Sequence, residues 1–152
     1  MKVLQRKALI GPIISIIGGI FLLIAGIRDL SGMIELHTSL IKSNLTFEEM
    51  GLSTTVINTY INDGLTLVWG ILAVVGSVLT IGGKSYGMFI LLIVGIISSI
   101  GLFYIIQPAQ WIDTGFEIHL FNDIQLNSSL FYVDPFLVLF GGILTIVLTA
   151  KS

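Results

Sequence analysis

Residues 8–27 read ALIGPIISIIGGIFLLIAGI, with no Asp, Glu, Lys, Arg or His among them. A helix needs roughly 20 apolar residues to cross about 30 Å of hydrocarbon, so this stretch by itself predicts a membrane span. Three more charge-free runs follow at 65–83, 85–106 and 136–150. The last is short unless the helix starts further back, near residue 131, with Asp134 and Pro135 in its first turn at the membrane interface. Proline is tolerated there because the first N–H groups of a helix have no intrahelical partner. The expected fold is therefore an all-α membrane protein. It is a single domain over 1–152, a bundle of four transmembrane helices at about 8–28, 65–83, 85–106 and 131–150, with two ordered loops at about 29–64 and 107–130.

Composition agrees. Mean hydropathy is +1.02, and 11% of the residues are charged, against about a quarter in a soluble domain. The chain has no cysteine, which excludes disulfide-braced loops, thiol redox chemistry and thiolate metal sites.

Charge sets the expected orientation. Lys2, Arg6, Lys7, Lys84 and Lys151 flank one end of the runs, and basic residues are retained in the cytoplasm. All nine acids lie in the two long gaps, where Arg28 and Lys42 are the remaining basic residues. Both termini are expected in the cytoplasm of a multi-pass cell-membrane protein, and both long loops outside. A cleaved signal peptide is the other reading of the first run, but its apolar stretch exceeds the roughly 7–15 residues of such a segment and no A-x-A site follows. An uncleaved anchor is preferred.

The short link at 82–85 makes the second and third helices antiparallel neighbours. In the first long loop, Thr46-Phe47-Glu48-Glu49 has the spacing of a capping box. From Ser53, the residues Val56, Ile57, Tyr60 and Ile61 predict a short amphipathic helix that ends at Asn62-Asp63-Gly64. In the second loop, Pro108 should stop the third helix and Trp111 should sit at headgroup depth. Residues 115–121 alternate like a strand. Trp69-Gly70-Ile71-Leu72 and Gly141-Gly142-Ile143-Leu144 suggest either a duplicated two-helix unit or chance likeness among Ile, Leu and Gly.

Three sets of residues are candidates for function. Small residues recur every four positions at Gly11, Ser15 and Gly19, at Gly95 and Ser99, and at Gly141, Thr145 and Thr149. Such stripes allow close helix contact in lipid, either within the bundle or with another membrane protein. Glu35-Leu36-His37 and Glu117-Ile118-His119 hold the only histidines. As paired strands they would offer two nitrogens and two oxygens to zinc or copper. Otherwise they are surface polar residues, and helical spacing around Ile34, His37 and Ile41 favours that. Asn44-Leu45-Thr46 and Asn127-Ser128-Ser129 are glycosylation acceptors by pattern, although Thr46 and Ser128 also suit caps and turns.

The layout, with cytoplasmic termini and a larger first outer loop, resembles that of claudins and related tetraspan proteins. Its first loop lacks the Trp and paired-Cys signature of claudins, so their barrier role does not carry over. The wording Trp69-Gly70-Ile71-Leu72-Ala73-Val74-Val75-Gly76 is similar to that of small prokaryotic four-helix membrane families without an assigned function, a resemblance that implies no active residues.

The expected function is non-catalytic, that of an accessory or assembly subunit of a larger membrane complex. The lipid bilayer and other membrane subunits or further copies of the chain are the expected partners. Neither a cofactor nor a nucleic acid is expected. Trp111, Phe116 and Tyr132 are candidates for outer contacts. The alternatives are a passive channel or transporter component, and an outer-face metal-binding or sensing protein. Coupled transport is disfavoured because the apolar runs themselves carry no ionisable group.

Overall fold

The computed structural model describes residues 9–49, 53–106 and 133–150. They form four helices: α1 (Ile10–Lys42), α2 (Ser53–Ile81), α3 (Ser85–Ile106) and α4 (Asp134–Ala150). No strand occurs among the described residues. The α1 and α2 helices pack together, as do α2 and α3, α3 and α4, and α4 and α1. The chain thus runs up, down, up and down around a square. One end carries the tight α2–α3 turn, and the other, the distal end, carries the α1–α2 connection.

Two helices are longer than the sequence predicts. The α1 helix was expected to stop near residue 28, but it continues to Lys42 and has 33 residues, about 50 Å at 1.5 Å per residue. Nothing between Arg28 and Lys42 breaks it. Leu30, Met33 and Leu40 are partly covered, while the residues between Met33 and Leu40 are exposed. Likewise α2 starts at Ser53 and has 29 residues, absorbing the predicted short helix and running through Asn62-Asp63-Gly64. A single helical glycine costs only about 1 kcal/mol, too little by itself to end a helix. The first loop therefore shrinks to the residues between Lys42 and Ser53.

True stops need a left-handed residue. The α1 helix ends where Asn44 takes φ 54° and the Leu45 N–H reaches back to the Leu40 carbonyl at 3.0 Å. The α2 helix ends in the same way at Gly83, φ 78°, with the Lys84 N–H on the Leu79 carbonyl at 2.9 Å. Both are Schellman-type caps. Thr46 and Glu49 then bond reciprocally: the Thr46 N–H donates to Glu49 Oε2 at 2.8 Å, and the Glu49 N–H donates to the Thr46 hydroxyl at 3.2 Å.

Inside and outside are inverted relative to a protein in water. A small core of Leu22, Ala73, Leu91, Val94 and Val138 is surrounded by buried Ser15, Thr66, Ser77, Thr80, Ser98 and Thr145, while α1 turns Ile10, Ile13, Ile17, Ile20, Ile24 and Ile27 outward. Buried hydroxyls must be bonded. Ser77, Thr80, Ser98 and Thr145 each donate to the carbonyl four residues earlier at 2.7 Å. Two helices, α1 and the Asp63–Ile81 part of α2, are long and apolar enough to cross a membrane.

The helices approach closely because glycines leave room. A methyl group on Gly11 would collide with the Thr145 hydroxyl and lie 2.6 Å from the Gly141 carbonyl oxygen; one on Gly141 would collide with the Ser15 hydroxyl and lie 2.5 Å from the Gly11 carbonyl oxygen. Gly19 faces α2 instead, at Ala73 and Gly70, and Gly95 faces the backbone of Leu139. The Gly11, Ser15 and Gly19 stripe is thus divided between two neighbouring helices. Gly11→Ala and Gly141→Ala should each lower stability by about 1–3 kcal/mol through overpacking. Gly32→Ala, with open space around it, should be neutral or gain up to roughly 1 kcal/mol. Thermal melts in detergent test the contrast.

Candidate functional site: a polar interior at the distal end

Along α2 the interior face reads Asp63, Thr66, Gly70, Ala73, Ser77 and Thr80, all buried. These positions alternate steps of three and four, the spacing of one helix face. Toward the tight turn the face is small and hydroxylated. Toward the distal end it finishes in a carboxylate, with Asp63 only 1% exposed and Thr66 fully buried.

The second buried acid is Asp134, fully enclosed in the first turn of α4. A carboxylate there is favoured by the unsatisfied N–H groups and the positive end of the helix dipole. The backbone carbonyl of Asp134 and the side chains of Leu137 and Val138 abut Gly18 of α1. Gly18 lies about nine residues, roughly 13 Å of helix rise, before Ile27 at the end of the charge-free run. The sequence reading placed Asp134 at the interface, at the foot of a helix that began near 131. The described helix begins at Asp134, so the acid is in the first turn as expected, although the start lies a few residues later.

Arg28 supplies the nearby positive charge. Its Nε donates to Asp29 Oδ1 at 2.7 Å. It lies just beyond the apolar run, and it is held above its ordinary pKa first by that hydrogen bond and by the charge of Asp29, and further by the charge of Asp134. Arginine side chains point back toward the helix N-terminus, which directs this one down α1 toward the level of Asp134.

Two further polar atoms face inward. Ser99 is 4% exposed, and its hydroxyl has no hydrogen-bond partner. It lies one turn beyond Gly95, whose position abuts Leu139. One turn back along antiparallel α4 from Leu139 is Pro135, so Ser99 faces the first turn of α4. Trp69 packs against the core of Leu22, Ala73, Leu91, Val94 and Val138, and its indole N–H is buried without an acceptor.

The residues singled out from the sequence are placed differently. Gly11, Ser15, Gly141 and Thr145 meet between α1 and α4, where the Ser15 hydroxyl donates to the Val138 carbonyl across the helices at 3.1 Å. Thr149 is partly covered near the C-terminus of α4. Glu35 and His37 are exposed on α1. Residues two apart on a helix diverge by about 200°, so this pair presents no joint ligand set, and the His37 ring instead sits 5.2 Å from that of Phe47. Asn44 is exposed, at the left-handed cap. Trp111, Phe116, Glu117, His119, Asn127, Tyr132 and the strand-like stretch 115–121 lie outside the described residues. Among the described residues no three His, Cys, Asp or Glu side chains gather around a common point.

Asp63, Thr66, Trp69 and Asp134 were missed as interior residues. The signal was available for α2, because continuing its small-residue phase backward from Ser77 through Gly70 arrives at Thr66 and Asp63. No family model matches the chain, and no curated protein or solved structure matches it.

Ser15→Ala should cost roughly 0.6–1.7 kcal/mol, the range of interhelical hydrogen bonds in membrane proteins. Ser77→Ala should cost less, because its hydroxyl bonds within its own helix. Equal losses in unfolding measurements would remove the special role of the α1–α4 bond.

Proposed function

We propose that the chain is a four-span membrane protein with both termini in the cytoplasm, acting without covalent catalysis as a subunit of a membrane assembly. The membrane part of this reading rests on the exterior. Each helix turns large apolar side chains outward every three or four residues: the α1 isoleucines, Val68, Ile71, Val75 and Val78 on α2, Phe89, Ile93, Ile96 and Ile100 on α3, and Phe136, Phe140, Ile143 and Val147 on α4. In water, contiguous apolar patches of that extent mark surfaces that need covering. Lipid covers all four faces at once.

The subunit part rests on one observation. Past the Arg28–Asp29 ion pair, α1 continues from Leu30 to Lys42 and carries exposed Ile34 (54%), Leu36, Ile41 (63%) and, just after the helix, Leu45. These side chains stand beyond the charge-free run, where bilayer hydrocarbon does not reach. The small-residue stripes contribute less to this reading, since Gly11, Ser15, Gly141 and Thr145 are engaged within the chain. The buried Asp63 and Asp134 favour the second reading, a channel or carrier component, because ionisable groups inside a helix bundle commonly mark ion and proton paths.

The absence of native cysteine makes the orientation simple to test. Lys42→Cys should react with a membrane-impermeant maleimide on intact cells, and Lys84→Cys only after permeabilisation. The reverse pattern overturns the orientation, and labelling of both from one side overturns the span between them. Photo-crosslinkers at Ile34 and Ile41 should give a discrete heavier species. A chain that crosslinks to nothing and migrates as a monomer in mild detergent contradicts the subunit reading.

A further inference from the structure

We infer that the part of α1 standing beyond the charge-free run is a self-association surface, pairing in parallel with the same stretch of a second copy of this chain. The inference rests on the subunit reading and names its partner. From Ile10 to Ile27 the exposed positions of α1 are Ile10, Ile13, Ile17, Ile20, Ile24 and Ile27. They alternate steps of three and four, the a and d spacing of a heptad. The phase does not stop with the apolar run. Ser31, Ile34, Thr38 and Ile41, all exposed, carry it to the end of the helix, and Leu45 takes the next position just past the cap. Lipid accounts for the isoleucines of the run, but not for Ile34, Ile41 and Leu45, which lie past the Arg28–Asp29 pair. Bundle packing does not account for them either. Gly32 is in phase with buried Gly11, Gly18 and Ala25, yet among the described residues nothing beyond its own helix lies within 4 Å of a methyl group placed there.

A second copy fits this surface without further requirement. Copies in one membrane share an orientation, so their overhangs run parallel and reach the same height, which sets Ile34 beside Ile34 and Ile41 beside Ile41. These are d positions, with Ser31 and Thr38 at a, and polar residues at a positions fix register. The Thr38 hydroxyl already donates to the Ile34 carbonyl at 2.8 Å, so closing the contact leaves no unbonded group there. Charge also permits the parallel arrangement. In such a pair the g position of one helix meets the e position of the next heptad on the other. That places Glu35 beside Leu30 and Lys42 beside His37 of the second copy, so neither charge faces its own duplicate. Two heptads are short for a coiled coil in water, but confinement to one membrane raises the effective concentration as a linker does. At the roughly 20° crossing of such helices, two α1 helices diverge below the contact and leave Ile13 and Ile17 to lipid.

The native chain has no cysteine, so single cysteines report the contact. With the full chain at low density in lipid vesicles and a mild oxidant, Ile34→Cys, Thr38→Cys and Ile41→Cys should form disulfide-linked pairs about tenfold more readily than Leu36→Cys and Ser39→Cys, because a disulfide needs Cα atoms within about 7 Å. Two differently tagged copies should co-purify in mild detergent, and Ile34→Glu together with Ile41→Glu in both should abolish this. Both side chains are more than half exposed, and circular dichroism confirms the fold; if that variant does not fold, the cysteine comparison decides alone. Equal linkage at all the cysteine positions, or linkage at none, overturns the proposal. A photo-crosslinked product at Ile34 that contains a different protein, with no cysteine pairs, overturns it but leaves the subunit reading standing. A crosslink confined to one chain, with a monomer in mild detergent, removes both.

Discussion

Gly11 and Gly141 lie against one another's backbone, each flanked by a hydroxyl from the opposite helix, Thr145 and Ser15. At this contact a methyl group would not fit. In lipid there is little hydrophobic gain from bringing two helices together, because the tails around them are equally apolar. Association rests on close van der Waals approach and on interhelical hydrogen bonds. The α1–α4 contact supplies both, and Gly87 against Gly76 and Thr80, and Gly95 against Leu139, extend the same solution around the square.

That constraint explains the inverted distribution of residues. Once small residues occupy the interior, the bulky side chains must point outward, and isoleucine dominates the α1 exterior. Serine and threonine then enter the interior at little cost, since each can bond the carbonyl one turn earlier on its own helix. The interior is consequently polar enough for Asp63 and Asp134 to belong to it, together with Thr66, Ser98 and Ser99. The two acids are the distal continuation of the same small, hydroxylated faces that pack the helices.

Much of this was legible in the sequence, and what was not has a physical cause. Charge-free runs located all four helices, and the boundaries of α3 matched because a glycine turn starts it. The ends of α1 and the start of α2 were misjudged because hydropathy marks where lipid ends, whereas a helix stops where its carbonyls are capped. Asn44 and Gly83 do that, and Asn62-Asp63-Gly64 does not. The first-turn position of Asp134 and Pro135 was legible, but that α4 starts at Asp134 and not near residue 131, with Asp134 against Gly18 of α1, was not. Spacing alone could not divide Gly11, Ser15 and Gly19 between two partner helices either, because one residue turns a helix face by about 100°.

The most direct test of the inverted bundle is a spin-label accessibility scan along residues 9–27 of α1 in lipid vesicles, comparing collisions with oxygen and with a water-soluble nickel reagent. Oxygen collisions should peak at Ile13, Ile17, Ile20 and Ile24, fall at Ser15, Leu22 and Ala25, and repeat with a period near 3.6 residues, while nickel collisions stay low throughout. A flat oxygen profile, or nickel reaching the isoleucine face, would contradict the account.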